Sequence, residues 1–179
     1  MLRSVRRRGR TRFRAAFFPR VEPDRREQRT TTRRLVLDEG DGTMESAARA
    51  SLSRARERWN AGDLVGYLGV YDPSVKLHGY GEPLDYAGVV ALYESIFSAF
   101  TEPQLTFHEV IESNDTVTVR FSMTGRHEGT FNSIPATGVE IVLDGITILR
   151  FAGDRCVERW SCADMLGLMV QLGAVPAPT

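Results

Sequence analysis

Lysine, histidine and cysteine are scarce in this 179-residue chain: one Lys (Lys76), three His and two Cys. The two cysteines, Cys156 and Cys162, lie six residues apart with no further Cys or His at metal-ligand spacing. That excludes a disulfide framework and a structural zinc site, and it points to reduced thiols in a cytoplasmic protein. No run of eighteen apolar residues occurs, so no transmembrane helix is expected. Also missing are a phosphate-cradling glycine loop and a nucleophile with a paired base. What is abundant is arginine, and it is unevenly placed. Residues 1–43 hold thirteen Arg against six acidic residues, whereas residues 44–179 hold ten basic against seventeen acidic ones. A zero formal net charge therefore joins a head of +7 to a body of −7.

The head, residues 1–43, is too dense in like charge around Arg6-Arg7-Arg8-Gly9-Arg10 to offset the entropy of ordering, and it reads as a disordered Arg-rich extension. Its apolar stretch Ala15-Ala16-Phe17-Phe18 is too short for a secretory signal. Three roles stay open: a transit peptide, a nucleic-acid-binding arm, or an extension ahead of a start at Met44. The body is acidic, so nucleic-acid affinity would have to reside in the head alone.

Residues 44–175 read as one domain, with 176–179 a tail. Ala48, Leu52, Ala55 and Trp59 form a helical stripe. Asp63 and Asp85 are N-caps for a second and a third helix, the latter turning Val89, Tyr93, Ile96 and Phe100 inward. Val75–His78 is a short strand. Leu105, Phe107, Glu109 and Ile111 alternate with Thr106, His108, Val110 and Glu112, a second strand. Val117, Val119, Phe121 and Met123 alternate with Thr118, Arg120, Ser122 and Thr124, a third. Gly138 to Phe151 is a long strand bent by a bulge at Asp144-Gly145, and Cys156 to Ser161 is the last. A short helix from Met165 ends at Gly173. The order predicts an α+β fold: a curved antiparallel sheet with helices packed on its concave face, enclosing a pocket.

The stretches Gly125-Arg126-His127-Glu128-Gly129-Thr130-Phe131 and Ile134-Pro135-Ala136-Thr137-Gly138 carry a resemblance. So do Gly145–Phe151, Glu158-Arg159-Trp160, Asp164, Leu166-Gly167-Leu168 and Gln171-Leu172-Gly173. Together they resemble the SnoaL-like polyketide cyclase (ester cyclase) family, whose fold is the NTF2-like cone. The resemblance implies a secondary-metabolism enzyme that closes a ring in a polyketide ester by intramolecular aldol condensation, without metal or organic cofactor. It also implies that Asp164, just after the last strand, is the catalytic acid/base, its pKa raised by a dry pocket. The strand Ile146–Arg150 is poorer in polar groups than the strand preceding that Asp in the cyclases.

Each candidate carries a structural reading beside the functional one. Asp164 stands where an N-cap for the last helix belongs. Trp160, which precedes it on the last strand, is expected to supply the apolar wall of the pocket. His78 lines the pocket or is a satisfied strand residue. His127 belongs to the pocket or fixes its loop, and His108 is expected to be exposed. Arg120 lines the pocket or pairs with an acid across the sheet, and Asp144 points inward beside Asp164 or serves the bulge. The expected partner is a hydrophobic small molecule, held either for turnover or for binding alone. A third possibility is an interaction module, and apolar residues on both sides of the Gly138–Phe151 strand suggest a homodimer.

Overall fold

The computed structural model describes residues 46–177; the expectations for residues 1–43 lie outside them. Three helices and one strand precede a run of four strands and a last helix. These are α1 (Ala47–Asn60), α2 (Leu64–Leu68), β1 (Tyr71–His78), α3 (Tyr86–Ala99), β2 (Phe100–Ser113), β3 (Thr116–His127), β4 (Glu140–Ala152), β5 (Arg155–Ala163) and α4 (Met165–Gln171). The stripe Ala48, Leu52, Ala55 and Trp59 is buried, as its spacing requires.

The starts of α2, α3 and α4 share one device. Asp63, Asp85 and Asp164 each accept a hydrogen bond from the backbone N–H three residues on, and that residue is glycine each time: Gly66, Gly88 and Gly167. The Asp satisfies an orphan donor of the first turn. At Gly167 a Cβ would sit 2.2 Å from an Asp164 carboxylate oxygen, so the side chain folds over the turn only because glycine leaves room.

The strands form one curved, open sheet in the order β1-β5-β4-β3-β2. Neighbours β2 to β5 run antiparallel, while β1 adds to the β5 edge in parallel, which makes the sheet mixed. The core lies between α1–α3 and the concave face, onto which β3 points Val117, Val119, Phe121 and Met123 and β4 points Ile141, Leu143, Thr147 and Leu149.

Two features of the strands differ from the sequence reading. In β2 the register slips between Phe107 and Glu109. The extra residue reverses the pleat, so Val110 packs against the core and Ile111 is exposed. In β4 there is no bulge at Asp144-Gly145: Ser122↔Asp144 and Phe121↔Gly145 pair in unbroken register, and the irregularity falls at Arg150/Phe151 against β5. Glycine is there for space. A Cβ on Gly145 would lie 2.6 Å from Phe121 Cζ and 3.0 Å from the Cys162 carbonyl oxygen. Gly145→Ala is therefore expected to destabilise the domain by about 1–3 kcal/mol through overpacking, measured by urea denaturation. An unchanged midpoint would show that the Phe121 ring yields freely.

Candidate functional site

The sheet has two unlike faces, and the strand pleat assigns every side chain to one of them. Between the helices and the concave face lies a cavity lined by side chains of α1, α2, α3 and all five strands, with Tyr80 from the loop after β1. Atom-free space in it, mouth included, is ≈ 690 Å³, and the volume open to the centre of a water molecule is ≈ 60 Å³. The walls are mainly aliphatic and aromatic. Trp59 meets Tyr67, Tyr93 and Phe97 edge-on at centroid distances of 4.8, 5.7 and 4.7 Å.

One end of the cavity is polar. Arg159, an inward residue of β5, is buried at 8% exposure. Its Nε donates to Thr147 Oγ1 at 2.7 Å, and that hydroxyl in turn donates to the Trp160 carbonyl at 2.9 Å. Its Nη1 donates to the hydroxyls of Tyr71 and Tyr93 and reaches that of Tyr67 at 3.3 Å. The three hydroxyls also bond to one another, Tyr67 to Tyr71 at 3.2 Å and Tyr71 to Tyr93 at 3.0 Å. The tyrosines come from the end of α2, the start of β1 and the middle of α3, so the cluster exists only in the assembled fold. Burial holds the Tyr71 and Tyr93 phenols well above their usual pKa despite the opposing charge of Arg159. Burial works against the charge of Arg159 too, but the phenol oxygens around it prevail and keep it a cation. Two further polar atoms of lining residues, Trp59 Nε1 and Ser161 Oγ, are buried with no hydrogen-bond partner among the described residues.

The residues singled out in the sequence are placed otherwise. Trp160 is no pocket wall: it is 40% exposed on the outer face and stacks on His78 with centroids 5.2 Å apart. The reason is phase. Arg159 and Trp160 are consecutive, and Arg159 is the inward one. His78 Nε2 lies 3.0 Å from Glu158, which also pairs with Arg150. Those two contacts, Arg150 first, lower the Glu158 pKa. Arg120 pairs with Glu109 across the sheet at 3.8 Å, an exposed pair of little energetic weight. Asp144 points outward to accept from Ser122, whose hydroxyl also meets His108. The hydroxyl stands between His and Asp, so the imidazole is not oriented by the carboxylate as an activating base is.

Asp164 is exposed and lies with Asp144 and Arg120 beside a shallow depression on the outer face. Its carboxylate caps α4 through Gly167 at 2.8 Å, and no dry pocket encloses it. His127 is fully buried outside the cavity lining. Its Nδ1 accepts from the Thr137 backbone N–H at 3.3 Å and lies 3.0 Å from the Thr137 hydroxyl, fastening the β3–β4 connection. Sequence reasoning missed Arg159, the three tyrosine hydroxyls and Ser161. A polar stripe at 159 and 161 on the last strand was the available signal.

Among the described residues no helix is long and apolar enough to cross a membrane, and no group of three or more His, Cys, Asp or Glu is placed to hold a metal ion.

A family model described as SnoaL-like polyketide cyclase matches residues 50–172. Among solved structures, the chain is similar to the candidate hydroxylase AclR from Streptomyces galilaeus, at 26% identity and TM-score 0.70 over 76% of this chain and 87% of that one. It is also similar to a candidate polyketide cyclase from Acidithiobacillus ferrooxidans, at 26% identity and TM-score 0.61 over 74% and 98% of the two chains. A candidate SnoaL-like polyketide cyclase from Jannaschia sp. CCS1 shares the fold at 19% identity and TM-score 0.67, covering 77% of this chain and 99% of that one. No curated protein matches the sequence.

If the Asp164 carboxylate acts as a cap, Asp164→Ala is expected to cost about 1 kcal/mol of stability and Asp164→Asn close to nothing, since Asn caps as well as Asp. Chemical denaturation of the two variants checks this. Equal losses in both would mean that the charge, not the cap, is what matters there.

Proposed function

The chain belongs to the SnoaL-like polyketide cyclase family, and from that premise we propose that it closes a ring in a flat, apolar polyketide ester held in the cavity between helices and sheet. The reaction is an intramolecular aldol condensation. A proton passes from a carbon flanked by carbonyls to solvent base, the enolate carbon bonds to a second carbonyl carbon of the same molecule as that C=O π bond opens, and the new alkoxide takes an equivalent proton back, so the product is an isomer of the substrate.

The observation that carries this reading is the cavity: aromatic and aliphatic walls, closed at one end by the Arg159 guanidinium and the hydroxyls of Tyr67, Tyr71 and Tyr93. An apolar site with a few convergent polar atoms suits a flat ligand whose oxygens need orienting. The chain's own contribution is to fold the polyketide so that the two reacting carbons meet, and to keep water away from the enolate. Such orientation is worth several kcal/mol of barrier. The geometry favours groups inside the cavity over Asp164 for handling the reacting oxygens, because the Asp164 carboxylate is exposed and committed to the α4 cap.

Assembly belongs to the same proposal. Val142, Ile146, Ile148 and Trp160 are exposed together on the outer face, and an apolar band on an open sheet is suited to covering by a second copy. Ile146→Glu is expected to shift the protein from dimer to monomer in light scattering; a monomeric wild-type protein would remove the assembly proposal alone.

For the reaction, a panel of aromatic polyketide esters is screened for ring closure. Leu143→Trp, which fills the cavity, should abolish turnover while the melting curve stays cooperative. Asp164→Asn should keep turnover within a few-fold of wild type; its complete loss would return the acid/base role to Asp164. Ligands that bind and stabilise with no turnover on any ester of the panel would leave a binding protein in place of an enzyme.

A further inference from the structure

The polar end of the cavity has more donors than acceptors. Arg159 carries five N–H groups. Nε serves Thr147 and Nη1 serves the tyrosine hydroxyls, but among the described residues no hydrogen bond reaches Nη2. Nor is Nη2 among the sealed-off, partnerless polar atoms of the described residues, so it keeps some accessible surface, and Arg159 lines the cavity. The tyrosines add to the surplus. Three hydroxyl protons share two contacts between hydroxyls, Tyr67 to Tyr71 and Tyr71 to Tyr93, so at least one proton is left over.

Charge is unbalanced in the same direction. No ion pair among the described residues involves Arg159. The phenols do not supply the missing anion, because burial keeps Tyr71 and Tyr93 protonated at neutral pH. A buried cation with no carboxylate is costly unless something else compensates it. Surplus donors, a fixed positive charge and apolar walls together describe the complement of an anionic oxygen on a flat apolar body.

We propose that the Arg159–Tyr67–Tyr71–Tyr93 cluster binds the anionic oxygen of the ligand, a carboxylate or an enolate, against the free Nη2 edge of Arg159. The proposal rests on the cavity being the ligand site. It deepens that reading by naming the ligand class: acidic aromatic or polyketide molecules, ionised on arrival or as the enolate forms. In the second case the cluster acts where charge develops, as an oxyanion site does.

Calorimetric titration of the full chain uses three probes of one frame: naphthalene-2-carboxylate, its neutral methyl ester, and 2-hydroxy-1,4-naphthoquinone, which is ionised at neutral pH. At least one anion should bind about 10- to 100-fold more tightly than the ester, the range for a hydrogen bond to a charged group. Preference for the naphthoate identifies a carboxylate, and preference for the quinone an enolate. Arg159→Met should reduce the preference to less than about twofold while the ester still binds. Should that variant fail to fold, Arg159→Gln, which keeps donors but not charge, provides the same comparison. Ester bound as tightly as both anions by the wild-type protein overturns the anion site and leaves the cavity reading standing. Failure of all three to bind overturns both, and a preference that survives loss of the guanidinium overturns the role of Arg159.

Discussion

A guanidinium taken out of water must be compensated by whatever the fold places around it, and here that requirement joins elements distant in sequence. Arg159 on β5 reaches the last turn of α2, the first residue of β1 and the middle of α3 through three tyrosine hydroxyls, and β4 through Thr147. Displacing any of these elements strands a charged donor in an apolar interior, which costs more than the hydrogen bond itself is worth. Two walls of the cavity, helices and sheet, are thereby held in register at its polar end. Trp59 adds packing to the same hold through its edge-on contacts with Tyr67, Tyr93 and Phe97.

The two faces of the sheet divide the chemistry. Inside are phenols, one cation and hydroxyls. Outside are the ion pairs of His78, Glu158 and Arg150, the Asp144–Ser122–His108 row, and an apolar band. Charged groups that can exchange partners with water stay on the outer face, where their pairing is weakly consequential. The groups denied water are the guanidinium and hydroxyls that line the cavity.

Much of the fold is legible in the sequence for stated reasons. The α1 stripe has helical spacing, β3 alternates strictly, and the spacing Asp-x-x-Gly at 63, 85 and 164 marks three helix starts. That repetition also weighs on the meaning of Asp164: two sister residues do the same capping with no chemistry attached. The SnoaL-like family is legible in the motifs of the second half of the domain. The site was harder. Strand β4 is apolar in both phases, with Thr147 and Leu149 on one side and Ile146 and Ile148 on the other, so its pattern does not say which face is inside. Strand β5 inherits the ambiguity, and a Trp beside an Arg invites the wrong choice. Only the pairing Leu149↔Arg159 and Ile148↔Trp160 decides it. Tyr67 and Tyr71 resemble ordinary core aromatics until the hydroxyls are seen to converge.

The parallel pairing of β1 with β5 has a consequence for how the domain comes into being. Leu77 lies beside Arg159, some eighty positions later in the chain. Helices and hairpins form early from near neighbours, but this contact closes a long loop and belongs to the slow part of folding. During synthesis α1 to α3 and β1 to β4 emerge first, with the tyrosine hydroxyls facing an unfinished cavity. The cation that completes it arrives on the last strand, so the cavity takes its final form only when the domain is nearly whole.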